Sequence, residues 1–252
     1  MIMKTSVDAL NIHIYSDRRT MGADAGADVA AKIKELLLVK PTIRMIFAAA
    51  PSQKELLSYL TEDQEIEWSR ITAFHMEEYL GLPQDAAYMF RHFLHKHLVS
   101  QVNPQIVNWI DNANASDIEC LRYTQLLQEA PIDIVCLGIG ENGHLAFNDP
   151  RVADFKDPEL VKQVQLDDAS RQQQVNDGCF PSFDDVPTHA ITLTIPALLA
   201  GEFLFCMAPS KSKHQAVKRT LNEPVSPNCP STILRHHPNC TLYVDRDAYG
   251  HV

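Results

Sequence analysis

A chain of 252 residues, 45% hydrophobic and 21% charged, has ordinary globular composition and enough length to bury a large core, most simply as a single domain over 1–252. Its formal net charge of -10 argues against a general nucleic-acid or anionic-membrane surface, which needs a basic face, so an anionic ligand has to be held by a local pocket. No stretch approaches the roughly 18 uninterrupted apolar residues of a membrane span, and the N-terminal MIMKTSVDALNIHIYSD lacks an apolar core of signal-peptide length, which predicts a cytoplasmic protein.

Apolar, strand-like runs alternate with helical patterns along the chain. LNIHIYS precedes a helix over Asp17 to Lys40, TIRMIFA one over Gln53 to Thr61, and RITAFHM one over Tyr88 to Val99. A helix over Asp117 to Glu129 leads into the strand IDIVCLG, and HAITLTI, EFLFCMA and CTLYVD read as later strands. PALLAGE is a short helix and Lys211 to Asn222 a longer one. This alternation predicts an α/β fold with a parallel sheet and helices on both faces. Asn148 to Pro187, carrying Pro150, Pro158, Pro181 and Pro187, reads as long loops around the short strand QVQLD, and long loops inside a compact domain are often functional.

The six cysteines form no CxxC pair and read as reduced, mostly core thiols. His92, His95 and His97 in RHFLHKHL lack a nearby carboxylate or cysteine to complete a metal site, so they read as a helix surface.

Two constellations stand at the ends of strands, where open α/β sheets place their chemistry. The first is LGIGENGHLAFNDP, Leu137 to Pro150. Gly138, Gly140 and Gly143 allow a sharp turn and a close approach to a ligand, and His144, held in that tight segment, is the candidate acid or base. Asn142 and Asp149 are placed to orient its ring. The second is FHMEEYLGL, Phe74 to Leu82. Glu77 and Glu78 point to opposite sides of an extended segment, so one can face a cleft while the other is solvated or structural.

FHMEEYLGL and LGIGENGHLAFNDP, in this order and at this separation, resemble the glucosamine-6-phosphate deaminase (isomerase) family, to which 6-phosphogluconolactonases are related. The resemblance runs from TIRMIFAAAPS to CTLYVDRD and implies a three-layer αβα sandwich with a mostly parallel central sheet. It implies an enzyme that opens an amino-sugar phosphate, isomerises it to the ketose and releases ammonia, with no metal or organic cofactor. The partner would be a small-molecule sugar phosphate rather than a nucleic acid or membrane, and a homo-oligomer stays open. Carried over by position, the proton-abstracting acid falls on Glu77, the ring-opening histidine on His144, and the flanking carboxylates on Asn142 and Asp149. Three departures follow: Glu77 stands for an aspartate, Asn142 where an aspartate is often found, and Asp149 for a glutamate. An amide at 142 orients the imidazole but brings it no charge.

The phosphate pocket departs more. FAAAPSQKELL keeps Ser52, yet Ala50 and Pro51 replace glycines of the family's phosphate turn, and Pro51 removes an N–H donor. Lys213 in SKSKHQAV matches a phosphate-binding lysine. An arginine usual after LDDASR is missing, the stretch reading QQQVNDGCF, and Arg171 is the candidate substitute. Two other functions therefore remain open from the sequence: a lactone hydrolase in which a histidine activates water, and a sugar-phosphate-binding regulator without turnover.

Overall fold

The computed structural model describes residues 1–250. Its main sheet has eight strands: β1 (Met3–Val7), β2 (Leu10–Tyr15), β3 (Ile43–Phe47), β4 (Ile71–His75), β6 (Ile106–Asn108), β7 (Ile134–Gly138), β10 (Phe203–Met207) and β11 (Cys240–Asp245). Their order across the sheet is β1-β2-β11-β10-β7-β3-β4-β6. Only the edge strand β1 runs antiparallel to its neighbour; every other pair is parallel. The central strands are apolar without alternation because both faces are covered, as in β3, IRMIF, where every residue is buried. Two apolar clusters result, one on each side of the sheet: Met21, Val29, Phe47 and Tyr243 belong to one, Ile12, Ile46, Leu137 and Leu242 to the other. The expected αβα layering is the observed one. No described helix is long and apolar enough to cross a membrane.

A smaller antiparallel sheet sits beside this frame, built from β5 (Glu77–Tyr79), β8 (Val161–Gln165) and β9 (His189–Leu193) in the order β5-β9-β8. HAITLTI is thus a strand as read, but of this second sheet rather than the parallel one. Asn148 to Pro187 also contains a helix that the loop reading missed, Asp168–Asn176, capped by the Asp167 side chain, which accepts from Ala169 N–H. The expected helix over Tyr88 to Val99 is α-helical over Phe90–Leu94 and a π-turn over His95–Val99.

Two helices fix the geometry of one end of the site. Asp17 caps Arg18–Leu37, accepting from Thr20 N–H, and that helix buries Met21, Ala25, Val29 and Ile33 on one stripe. Gly22 and Gly26 bring it against the helix Lys54–Glu62 so closely that added β-carbons would come 2.3 Å from Cβ of Glu55 and 2.5 Å from Cβ of Tyr59. The first turns of the two helices are therefore locked side by side.

Candidate active site

One pocket opens at the C-terminal edge of the parallel sheet, lined by the segments that follow four strands: Ala48–Ser52 after β3, Met76 and Glu77 after β4, Ile139, Gly140 and His144 after β7, and Pro209–Lys213 after β10. This is where an open α/β sheet leaves backbone groups unpaired and splays its crossover loops. Two non-glycine residues in the pocket wall hold left-handed backbone, Ala146 at φ 50° and Ser210 at φ 78°. Such strain persists only where its surroundings over-determine it; Ser210 N–H, for example, donates to both carboxylate oxygens of Asp245 at 3.0 and 2.9 Å.

His144 is held through one ring nitrogen. Three acceptors surround Nδ1: Asn142 Oδ1 at 2.8 Å, Ser170 Oγ at 2.9 Å and Asp149 Oδ1 at 3.2 Å. The amide orientation of Asn142 follows from its other contacts, because Oδ1 accepts the His144 backbone N–H at 3.0 Å and Nδ2 donates to Asp149 Oδ1 at 2.9 Å. Nδ1 therefore carries the proton, and Nε2, which makes no hydrogen bond among the described residues, presents its lone pair to the pocket. Asp149 is 1% exposed; burial pushes its carboxyl up, but donors from His144, Asn142 and Ser170 outweigh that and hold it well below the usual carboxylate range. The amide at 142 thus does not leave the imidazole without a counter-charge, since Asp149 supplies one. Neither Asn142 nor Asp149 lines the pocket; each contacts the His144 ring instead.

The adjacent glutamates divide as an extended segment requires. Glu78 is fully buried, and its carboxylate accepts from the N–H groups of Tyr79 (3.0 Å), Phe90 (3.1 Å) and Arg91 (3.0 Å), which caps the helix that begins at Phe90. Burial still raises its carboxyl, to about 7, against the lowering by those donors. Glu77 faces the pocket, 7% exposed, with Oε2 buried and unpartnered. Burial first, and the neighbouring Glu78 charge second, push its carboxyl up to about 8. Met76, Phe90, Ile139 and Phe147 make the wall around it apolar.

At the other end, Ser52 and Lys213 stand in the same pocket, joined by Ser210, Ser212 and Arg18. Lys213 is 6% exposed, and burial pulls its ammonium pKa down against the raising effect of Asp177 and Glu141. Of the candidates from sequence, Glu77, His144, Ser52, Lys213 and Gly140 converge here. Gly143 does not: at φ +92° its role is the turn itself, and a β-carbon there would meet Cys229 Sγ at 2.7 Å. Arg171 is not the substitute arginine. Its guanidinium donates to the carbonyls of Phe183 and Val186 and stacks 4.0 Å over the Phe183 ring, outside the pocket. Sequence reasoning missed Ser170, Gln173 and Gln174, which face this site from Asp168–Asn176. Gln173 Oε1 also accepts Glu141 N–H at 2.7 Å, tying that helix to the histidine turn. The Asp167 cap in LDDAS was the available signal.

The profile of the glucosamine-6-phosphate isomerases/6-phosphogluconolactonase family matches residues 16–243. The chain belongs to that family. A glucosamine-6-phosphate deaminase of Bacillus cereus (strain B4264) is 33% identical over 222 residues, 86% of this chain and 80% of the relative. One from Bacillus pumilus (strain SAFR-032) is 31% identical over 246 residues, 95% of this chain and 98% of the relative. Among solved family structures, a monomeric glucosamine-6-phosphate deaminase superposes with a TM-score of 0.86 at 26% identity, covering 94% of this chain and 98% of its own. A 6-phosphogluconolactonase from Thermotoga maritima shares the fold, with a TM-score of 0.76 at 20% identity over 93% of this chain and 98% of its own.

Proposed function

We propose that the protein converts a 2-amino-2-deoxyhexose 6-phosphate, glucosamine 6-phosphate or an epimer, to the ketose 6-phosphate and ammonia. The observation that carries this reading is the presence of two separate proton carriers in one pocket: Nε2 of His144 without a partner, and the buried carboxyl of Glu77 raised to about 8. Hydrolysis of a lactone needs one base to activate water; moving a proton between two carbons after opening a ring needs two.

Nε2 of His144 takes the proton from the C1 hydroxyl and delivers it to the ring oxygen as the C1–O5 bond breaks, leaving an open aldehyde. The aldehyde acidifies the C2 hydrogen. Glu77, as carboxylate, removes that proton while the C2 ammonium passes one of its protons to O1, giving an enolamine, and the Glu77 carboxyl then protonates C1, leaving an iminium at C2. Water adds to C2 and ammonia departs, so that amino-sugar phosphate plus water gives ketose phosphate plus ammonia. A cationic C2 ammonium entering beside Glu77 favours the ionised form that the abstraction requires. Asn142, Ser170 and Asp149 hold the ring and its tautomer, while Ser52 and Lys213 take the phosphate. Such a substrate is a free metabolite, which fits a cytoplasmic location and calls for neither nucleic acid nor membrane.

The test supplies purified protein with glucosamine 6-phosphate, galactosamine 6-phosphate and 6-phosphogluconolactone while ammonia and acid release are followed separately. Ammonia from an amino-sugar phosphate is expected. Acid from the lactone alone would make the protein a hydrolase, and binding without either product would make it a sugar-phosphate-binding regulator.

A further inference from the structure

The phosphate end of the pocket presents a problem of charge. A phosphate monoester brings up to two negative charges, and Asp177 lines the same pocket. Against these stands Lys213, buried, with no ion pair and no hydrogen bond at Nζ among the described residues. Arg171, as shown above, is turned away, and Gln173 and Gln174 supply dipoles without charge.

Arg18 supplies what is missing. It opens the helix Arg18–Leu37 and lines the pocket with Ser52, Ser210, Ser212 and Lys213. Nε and Nη2 donate to the two carboxylate oxygens of Glu55, at 2.7 and 3.0 Å, and Nη2 also donates to the carbonyl oxygen of Pro51. Nη1 makes no hydrogen bond among the described residues. Glu55 is itself placed by the glycine seam between the two helices, so the guanidinium plane is set before any ligand arrives. Pro51, whose missing N–H weakens the turn as an amide cradle, contributes its carbonyl to this anchor instead.

We propose that Arg18 is the second cation of the phosphate subsite, binding the phosphate monoester through Nη1 opposite Lys213, with Glu55 as its positioning residue. The proposal rests on the sugar-phosphate reading above and replaces the arginine that QQQVNDGCF lacks with one from the other end of the chain. Arginine suits the task because two of its donors can be spent on a carboxylate while a third remains for phosphate.

The experiment uses the full chain with Arg18→Ala, Arg18→Lys, Glu55→Gln and Lys213→Ala. It measures inorganic phosphate binding by calorimetry, and KM and kcat for ammonia release from glucosamine 6-phosphate, with melting temperatures to verify folding. Arg18→Ala is expected to weaken phosphate binding and raise KM by about ten- to a hundredfold, with a smaller fall in kcat. Glu55→Gln should give a several-fold effect in the same direction, and Arg18→Lys should recover part of the loss. Should Arg18→Ala fail to fold, Arg18→Lys and Glu55→Gln carry the test. Unchanged phosphate affinity and KM in the folded Arg18 variants, with Lys213→Ala impaired, would overturn the proposal and leave the deaminase reading standing. Phosphate binding that depends on Arg18 in a protein releasing no ammonia would overturn that reading and keep the subsite.

Discussion

The imidazole of His144 occupies the space that a side chain on residue 140 would need: a β-carbon there would lie 2.1 to 2.3 Å from Cε1, Nε2 and Nδ1. The glycine is required by this close approach, since Gly140 does not have positive φ. Gly140→Ala is therefore expected to displace the ring from its acceptors and lower kcat by about a hundredfold or more, since catalytic placement is sensitive to about 1 Å. Unchanged kcat would show that the ring has slack.

Asp149 lies outside the pocket, so its effect has to travel through the imidazole. Asp149→Asn should reduce kcat by about a hundredfold or more while KM stays within about twofold, because it lets Nδ1 lose its fixed proton and the tautomer with it. Ser170→Ala, which leaves Asn142 and Asp149 in place, should cost less. A large change in KM for either variant would mean that the residue touches substrate.

Asn142→Asp tests the amide directly. Its Nδ2 donates to Asp149 at 2.9 Å, so a carboxylate oxygen in that position sets two like charges against each other. The added negative charge favours imidazolium, so the pH at which the His144 ring signals titrate by NMR should rise relative to the wild type, a readout separate from the acidic side of kcat/KM, which also requires ionised Glu77. An unmoved ring titration would show that residue 142 does not influence the histidine's charge.

The parallel strands were legible because burial on both faces leaves long apolar runs, as in IRMIF and IVCLG. β1, MKTSV, has mostly exposed residues and carried no such signal. The helix Asp168–Asn176, DASRQQQVN, escaped for a related reason: its inward face, Ser170, Gln173 and Gln174, turns toward a polar site, so the apolar periodicity that marks a helix is absent. The same loss hid Ser170. Glu77 and His144 could be read because strand ends and a glycine-rich turn are local features, whereas Arg18 and Ser52 meet only through tertiary packing of the two helices.

Glu77 links activity to stability. Its folded value of about 8 lies above its ordinary 4.5, so the folded protein keeps a proton that the unfolded chain releases. The stabilisation is complete below about 4.5 and is lost as pH rises through about 8. Glu77→Gln should thus match the wild type in unfolding free energy near pH 5 and exceed it near pH 9 by a few kcal/mol at most, with a higher melting temperature there, while kcat falls by about 10² to 10⁴. In the wild type, kcat/KM should rise with pH toward about 8 as the base ionises. Equal pH dependence of melting in the two proteins would remove the raised carboxyl from the account.

The most direct test of proton transfer by Glu77 is turnover of glucosamine 6-phosphate in D₂O, with the product followed by NMR beside an ammonia assay. The account predicts ammonia release with deuterium at C1 of the ketose phosphate to the extent that the Glu77 carboxyl exchanges its proton with solvent before protonating C1, and loss of both in Glu77→Gln with phosphate binding retained. Ammonia and C1 deuterium undiminished in Glu77→Gln would contradict it.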